Sequence, residues 1–294
     1  MQIHANWLAP FVVLFLSIWS PSLLAQCCSG RVCACPIGSV ELSSHRHGRW
    51  FVVESDNFQV CCEQSAGHAE NLARHAESVR TALGSKWLGK SLEEKWNPRC
   101  QIVLHGSQQS YVSACGRGSE RTVGSSLINV IEGRTISRRI DLLGSGTDFL
   151  SAALPHELTH VVLRERLPST GVPRWADEGA AILADSKAKQ GRHHKDLADA
   201  MLRRTTFQAG ELLTKDEYPG PDRMGAFYGQ SASLTKFLIE RDSPKRFVEF
   251  IEKATVQGYD AALQKCYGID GVTELDRQWQ RHLRLAPTTA TPTS

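Results

Sequence analysis

The chain has 294 residues, of which 41% are hydrophobic and 22% charged, with a formal net charge of +3. That is enough apolar sequence to bury a sizeable core, in one large domain or two small ones. So small a charge excludes any compositional case for nucleic acid or an anionic membrane as partner, and no internal repeat is visible.

Trp7 to Trp19 (WLAPFVVLFLSIW) is a run of about thirteen mostly apolar residues. It is short for a transmembrane helix and suits the hydrophobic region of a signal peptide. Small Ala25, in SPSLLAQ, marks the expected cleavage point. Residues 1–25 therefore read as a leader, and the mature protein as secreted or delivered to the periplasm or cell envelope. The apolar run is preceded by His4 but by no Lys or Arg. Retention as an uncleaved anchor is the alternative, and lipid attachment at Cys27 a further one; without such retention no stable membrane insertion is expected.

Nine cysteines (27, 28, 33, 35, 61, 62, 100, 115 and 266) support export. Spacings such as CCSGRVCAC suggest disulfides in an oxidising compartment, with most cysteines between Cys27 and Cys115 oxidised. A cysteine metal site is the rival, although C-x-C and C-C lack the C-x-x-C knuckle of structural zinc. The odd count leaves at least one thiol free or paired between chains.

Residues 26–48 read as a Cys-rich loop or stapled extension. WFVVES and NFQVCC then alternate as strands. A helix is expected from about Ser65 to Gly84, with Leu72, Ala76, Val79 and Leu83 on one face and Gly84 as its stop. His68 and His75 border that face as ordinary helix histidines. CQIVLHG is a further strand, with His105 as a structural side chain. SSLINVIE and TISRRIDLL are two more, turning at Gly133. Residues 49–145 thus form a small mixed α/β layer, and 146–286 a mainly helical region, the whole being α+β.

Thr147 or Asp148 can cap a helix through DFLSAALPHELTHVVLRERL. Pro155 either kinks it or restarts it with proline at its first position. A loop (LPSTGVP) leads to a second helix, RWADEGAAILAD, near Pro173. The basic stretch Lys187 to Lys195 (KAKQGRHHK) reads as a solvated loop. Further helices are expected at about 194–204, 226–241, 243–256 and 273–284, before a disordered tail at 287–294.

LPHELTHVVL places His156 and His160 four apart on one helical face, where two imidazoles can hold one metal. Glu157 is turned about 100° from His156 and is placed to take a proton from water activated by the metal. Catalytic zinc takes three protein ligands and leaves a fourth position open. Glu178, eighteen residues beyond His160 in WADEG, can complete the set if its helix folds back. Gly179 allows close helix approach, and Trp175 can pack beneath. Asp177 reads either as a solvated first-turn acid or, with Asp185, as an acid supporting the ligands.

HELTH followed by WADEG resembles the gluzincin metallopeptidases. The fuller pattern LPHELTHVVL…PRWADEGAA…FYGQSASLTKFL resembles the peptidase MA-like family over roughly residues 150–285, with weaker similarity upstream. The resemblance implies a zincin-type catalytic region, Zn2+ as cofactor, and a protein or peptide substrate. It also implies His156, His160 and Glu178 as ligands and Glu157 as catalytic base. Tyr228 matches a family tyrosine, and such a tyrosine or a histidine stabilises the oxyanion in related enzymes; His193, His194 and Arg223 are the other candidates. Substrate is expected along an edge strand, for which Val123–Glu132 is the candidate. Two features depart from the pattern: Ile182 stands where thermolysin-like enzymes have a histidine-orienting aspartate, and the aminopeptidase G-x-M-E-N signature is absent. The alternatives are an inactive zinc-binding protein and an envelope interaction protein whose cysteines are the functional part.

Overall fold

The computed structural model describes residues 40–285 apart from 91, 93, 145–149 and 151–152. The leader, Cys27, Cys28, Cys33, Cys35, the cap at Thr147 or Asp148 and the tail lie outside the described residues. Those described belong to one compact unit, and none of their helices is long and apolar enough to cross a membrane.

β1 (Ser43–His47), β2 (Trp50–Glu54) and β3 (Phe58–Cys62) form an antiparallel meander. β4 (Cys100–His105), β5 (Gly124–Ile131) and β6 (Arg134–Leu143) complete a six-stranded sheet of order β1-β2-β3-β4-β6-β5. β3, β4 and β6 run parallel, and β5 is an antiparallel edge. Strand alternation sets the core: Val53, Val60, Ile102 and Ile140 lie in one row across four strands, all fully buried. The β5–β6 hairpin turns through Glu132 and Gly133, with φ of 50° and 74°, the pair of positive dihedrals that matches strand twist. β1 corrects the expected loop at 26–48. All five of its residues are exposed, so no apolar alternation announced it.

α1 (Ala66–Leu83) has Ser65 as its cap, the hydroxyl accepting from His68 N–H at 3.2 Å, and buries Leu72, Ala76 and Leu83. The α-helix ends at Gly84, its C-cap, as expected. The chain continues as a π turn over Gly84–Leu88 to Gly89, at φ 66°, because Trp87 is drawn fully into the core against Phe247. α2 (Gln108–Cys115) covers the other face of the sheet. There His105 is structural as expected, buried with Nε2 2.7 Å from Asp141 Oδ1 and Nδ1 2.9 Å from Ser110 Oγ.

The helical region comprises α3 (Leu154–Arg166), α4 (Arg174–Ile182), α5 (Lys187–Arg203), α6 (Ala209–Leu213), α7 (Pro221–Arg241), α8 (Pro244–Gln257), α9 (Tyr259–Tyr267) and α10 (Gly271–Leu285). Arg138 of β6 fastens α3 to the sheet, donating to both oxygens of Glu165 at 2.7 Å. α4 and α5 both pack on α7. A Cβ on Gly179 would collide with Thr235 Oγ1 and the Ser231 carbonyl, and one on Gly229 would lie 2.7 Å from the His193 carbonyl. Glycine at both places is what lets the helices meet. Lys187–Lys195, expected as loop, is the first half of α5. It shows almost no apolar face because α5 buries only Leu197 and Ala200.

The disulfide expectation does not hold for the described cysteines: Cys61, Cys62, Cys100, Cys115 and Cys266 are unpaired. Cys62 pairs in register with Leu104 and Cys100 with Phe58, which puts them about 13 Å apart along the sheet, beyond disulfide reach. Both are buried and act there as small apolar side chains.

Candidate active site

Pro155 sits in the first turn of α3, a position where proline is tolerated. The helix therefore runs unbroken through the next turn, and His156 and His160 project together with ring centroids 5.0 Å apart. The short Leu167–Pro173 connection returns the chain to α4, whose contact with α3 brings Glu178 opposite the two rings. One ligand atom from each of His156, His160 and Glu178 lies within 4.8 Å of the others. His156 Nε2 is 3.9 Å from Glu178 Oε2.

Each of the two histidines has a carboxylate close behind it. His156 Nδ1 is 3.2 Å from Asp185 Oδ1, and His160 Nδ1 is 2.9 Å from Asp177 Oδ1. A carboxylate at Nδ1 leaves Nε2 free to face the cluster. Asp185 and Asp177, the two aspartates read from the sequence, thus lie beside the outer ring nitrogens of His156 and His160. Asp185 arrives by a turn just past α4, its N–H reaching the Ile182 carbonyl at 3.1 Å, and Ile182 itself is core. Lys189 Nζ, 2.9 Å from Asp185 Oδ1, fixes that carboxylate. Burial works against a charged His160, but Asp177 and the neighbouring Glu178 and Glu157 outweigh it and push its pKa up to about 10. A metal would take the place of that proton.

Glu157 is 7% exposed and turns toward edge strand β5. A Cβ on Gly124 would lie 2.7 Å from its Oε1, so glycine makes the space that the carboxylate occupies. Tyr228 of α7 is half-buried, its ring 5.6 Å from that of His193 and 6.1 Å from that of Tyr218. Burial and the Glu178 charge push its pKa up to about 12, against the opposing effect of Tyr218. It is therefore a neutral phenol, able to donate. Of the other donor candidates only His193 adjoins this cluster. His194 is exposed, and Arg223 is occupied with Glu211 and the Thr205 and Thr206 carbonyls.

Comparison with protein-family models matches residues 137–285, half of the chain, to the peptidase MA superfamily. The chain belongs to that superfamily. No curated protein matches it. As a member of a metallopeptidase superfamily it has, within the matched residues, the histidine pair, Glu157, Glu178 and Tyr228. Three contributors went unread in the sequence. Gly124 lies ahead of the match, and Lys189 looked like one charge in a basic run. Tyr218, in the loop DEYPG, donates its hydroxyl hydrogen to Glu178 Oε1. Nothing in the spacing around Tyr218 marks it.

Proposed function

We propose that this protein is an exported zinc metallopeptidase that hydrolyses peptide bonds. The observation carrying the proposal is the convergence of two imidazoles and one carboxylate, each backed by its own polar partner, with a further buried carboxylate, Glu157, beside them. This nitrogen and oxygen donor set fits zinc, and three ligands leave one position for chemistry. Zinc, when bound, would supply a Lewis acid that acidifies water and polarises the scissile carbonyl. His156, His160 and Glu178 would hold it.

Glu157 takes the proton from the attacking water and passes it to the leaving amine. It is suited to this because it is not needed as a ligand. Tyr228, uncharged, donates to the oxygen on which negative charge develops. An extended peptide lies along β5, whose outer edge is unpaired among the described residues and which borders Glu157 at Gly124. The apolar run Trp7–Trp19 supports export by a leader.

The test is metal analysis of the full-length protein together with a peptide-library digest. One zinc per chain and chelator-sensitive cleavage are expected, and Glu157→Gln should keep the metal while losing turnover. Zinc without cleavage would make this a binding protein. Cleavage by Glu157→Gln at the original rate would remove Glu157 from the mechanism.

A further inference from the structure

We propose that Tyr218 is the positioning residue of the Glu178 carboxylate, its hydroxyl taking one oxygen so that the other alone is presented to the metal. This rests on the reading of Glu178 as a metal ligand.

The two oxygens of Glu178 have different surroundings. Oε2 faces His156 Nε2 at 3.9 Å, whereas Oε1 accepts from the Tyr218 hydroxyl. Among the described residues no Lys or Arg pairs with Glu178, although it is only 7% exposed. The phenol is thus the donor that satisfies its outer oxygen. Each member of the cluster then has a partner of its own: Asp185 for His156, Asp177 for His160, and Tyr218 for Glu178.

Tyr218 lies between α6 and α7, and the loop that carries it is tied down by the first turn of α4. Arg174 Nε donates to the Asp216 carbonyl at 2.8 Å, and its guanidinium lies 4.3 Å from the Tyr218 ring centre. Trp175 Nε1 donates to the Tyr259 hydroxyl, which donates to the Leu213 carbonyl, both at 3.0 Å. The helix that carries Glu178 therefore also positions the loop that orients it. Tyr218 is 43% exposed overall; its ring lies beside Phe227 and Tyr228, and its hydroxyl is the end turned to Glu178. A donor held on Oε1 disfavours chelation by both carboxylate oxygens. One-oxygen ligation keeps the coordination number down and a position open for water.

The test uses the full-length protein stripped by a chelator and reloaded with Zn2+ or Co2+, comparing wild type with Tyr218→Phe. Tyr267→Phe is the control, since its hydroxyl is buried without a partner among the described residues. Loss of an outer partner should weaken Zn2+ binding by about 10–100-fold. The visible absorption of bound Co2+ should fall toward that of a five-coordinate ion as Oε1 joins it. The melting temperature of the metal-free protein should be unchanged, and the control should match wild type. Wild-type Zn2+ affinity with an unaltered Co2+ spectrum in Tyr218→Phe would overturn the proposal, even if turnover fell, because the hydroxyl would then act on substrate. A lowered melting temperature of the metal-free variant would overturn it in favour of a structural role. Failure of the wild type itself to bind metal would overturn both this proposal and the proposed function.

Discussion

Gly124→Ala tests whether the edge strand and the base are built as one unit. An alanine methyl at this site would lie 2.7 Å from Glu157 Oε1, 2.9 Å from Cγ and 3.2 Å from Cδ. Ordinary contact between carbon and oxygen needs about 3.4 Å or more, so the carboxylate must retreat by roughly 0.7 Å. A misplacement near 1 Å at a reacting group costs on the order of 100-fold in rate, which is about 2.7 kcal/mol of barrier. Gly124 is not among the residues at positive φ, so alanine meets no backbone strain there. The three nearest atoms to such a methyl all belong to Glu157 and none to His156, His160 or Glu178. kcat should therefore fall about 100-fold, while zinc content and melting temperature stay near wild type. Steady-state kinetics on a peptide selected from the library, alongside metal analysis and calorimetry, measure all three. A kcat within twofold of wild type would refute the placement of Glu157 as base against β5.

Tyr228→Phe keeps the ring and removes only the hydroxyl. If that hydroxyl supports the oxyanion, kcat should fall about 100- to 1,000-fold with zinc content and thermal stability unchanged, and an unaltered kcat would transfer the role to His193. Asp141 offers a pH test remote from the cluster. Burial alone would raise its pKa, but hydrogen bonds from Arg139 and His105 outweigh burial and leave it below the ordinary carboxylate value. A lowered folded-state pKa stabilises above the unfolded value of about 3.9 and loses that contribution as pH falls through the folded one. Asp141→Asn should accordingly lower the urea midpoint at pH 7 and lessen its further loss in acid below about pH 4; equal losses in the two proteins would contradict this.

The parts of this molecule legible in the sequence are those encoded over short distances. Ser65 capping α1, the Gly133 turn and the spacing of His156, Glu157 and His160 each depend on a few neighbouring residues, and the structure has them as expected. Glu178, Asp177 and Asp185 were within reach because they share one short segment that a loop must fold back. For Cys62 and Cys100 the count of cysteines said nothing of register, since facing positions on β3 and β4 are set by strand pairing rather than by spacing. α2, α6 and α9 are short, and their periodicity is too brief to be distinguished from loop. Tyr218 shows the limit most clearly. Its place beside Glu178 depends on Arg174 reaching Asp216 and on Trp175 reaching Leu213 through Tyr259, contacts between segments about forty to eighty residues apart. The spacing of His156 and His160 is a property of one helix and survives in the sequence as a motif. The contact of Tyr218 with Glu178 is a property of several packed elements, and DEYPG yields it only once α4, α7 and α9 have met.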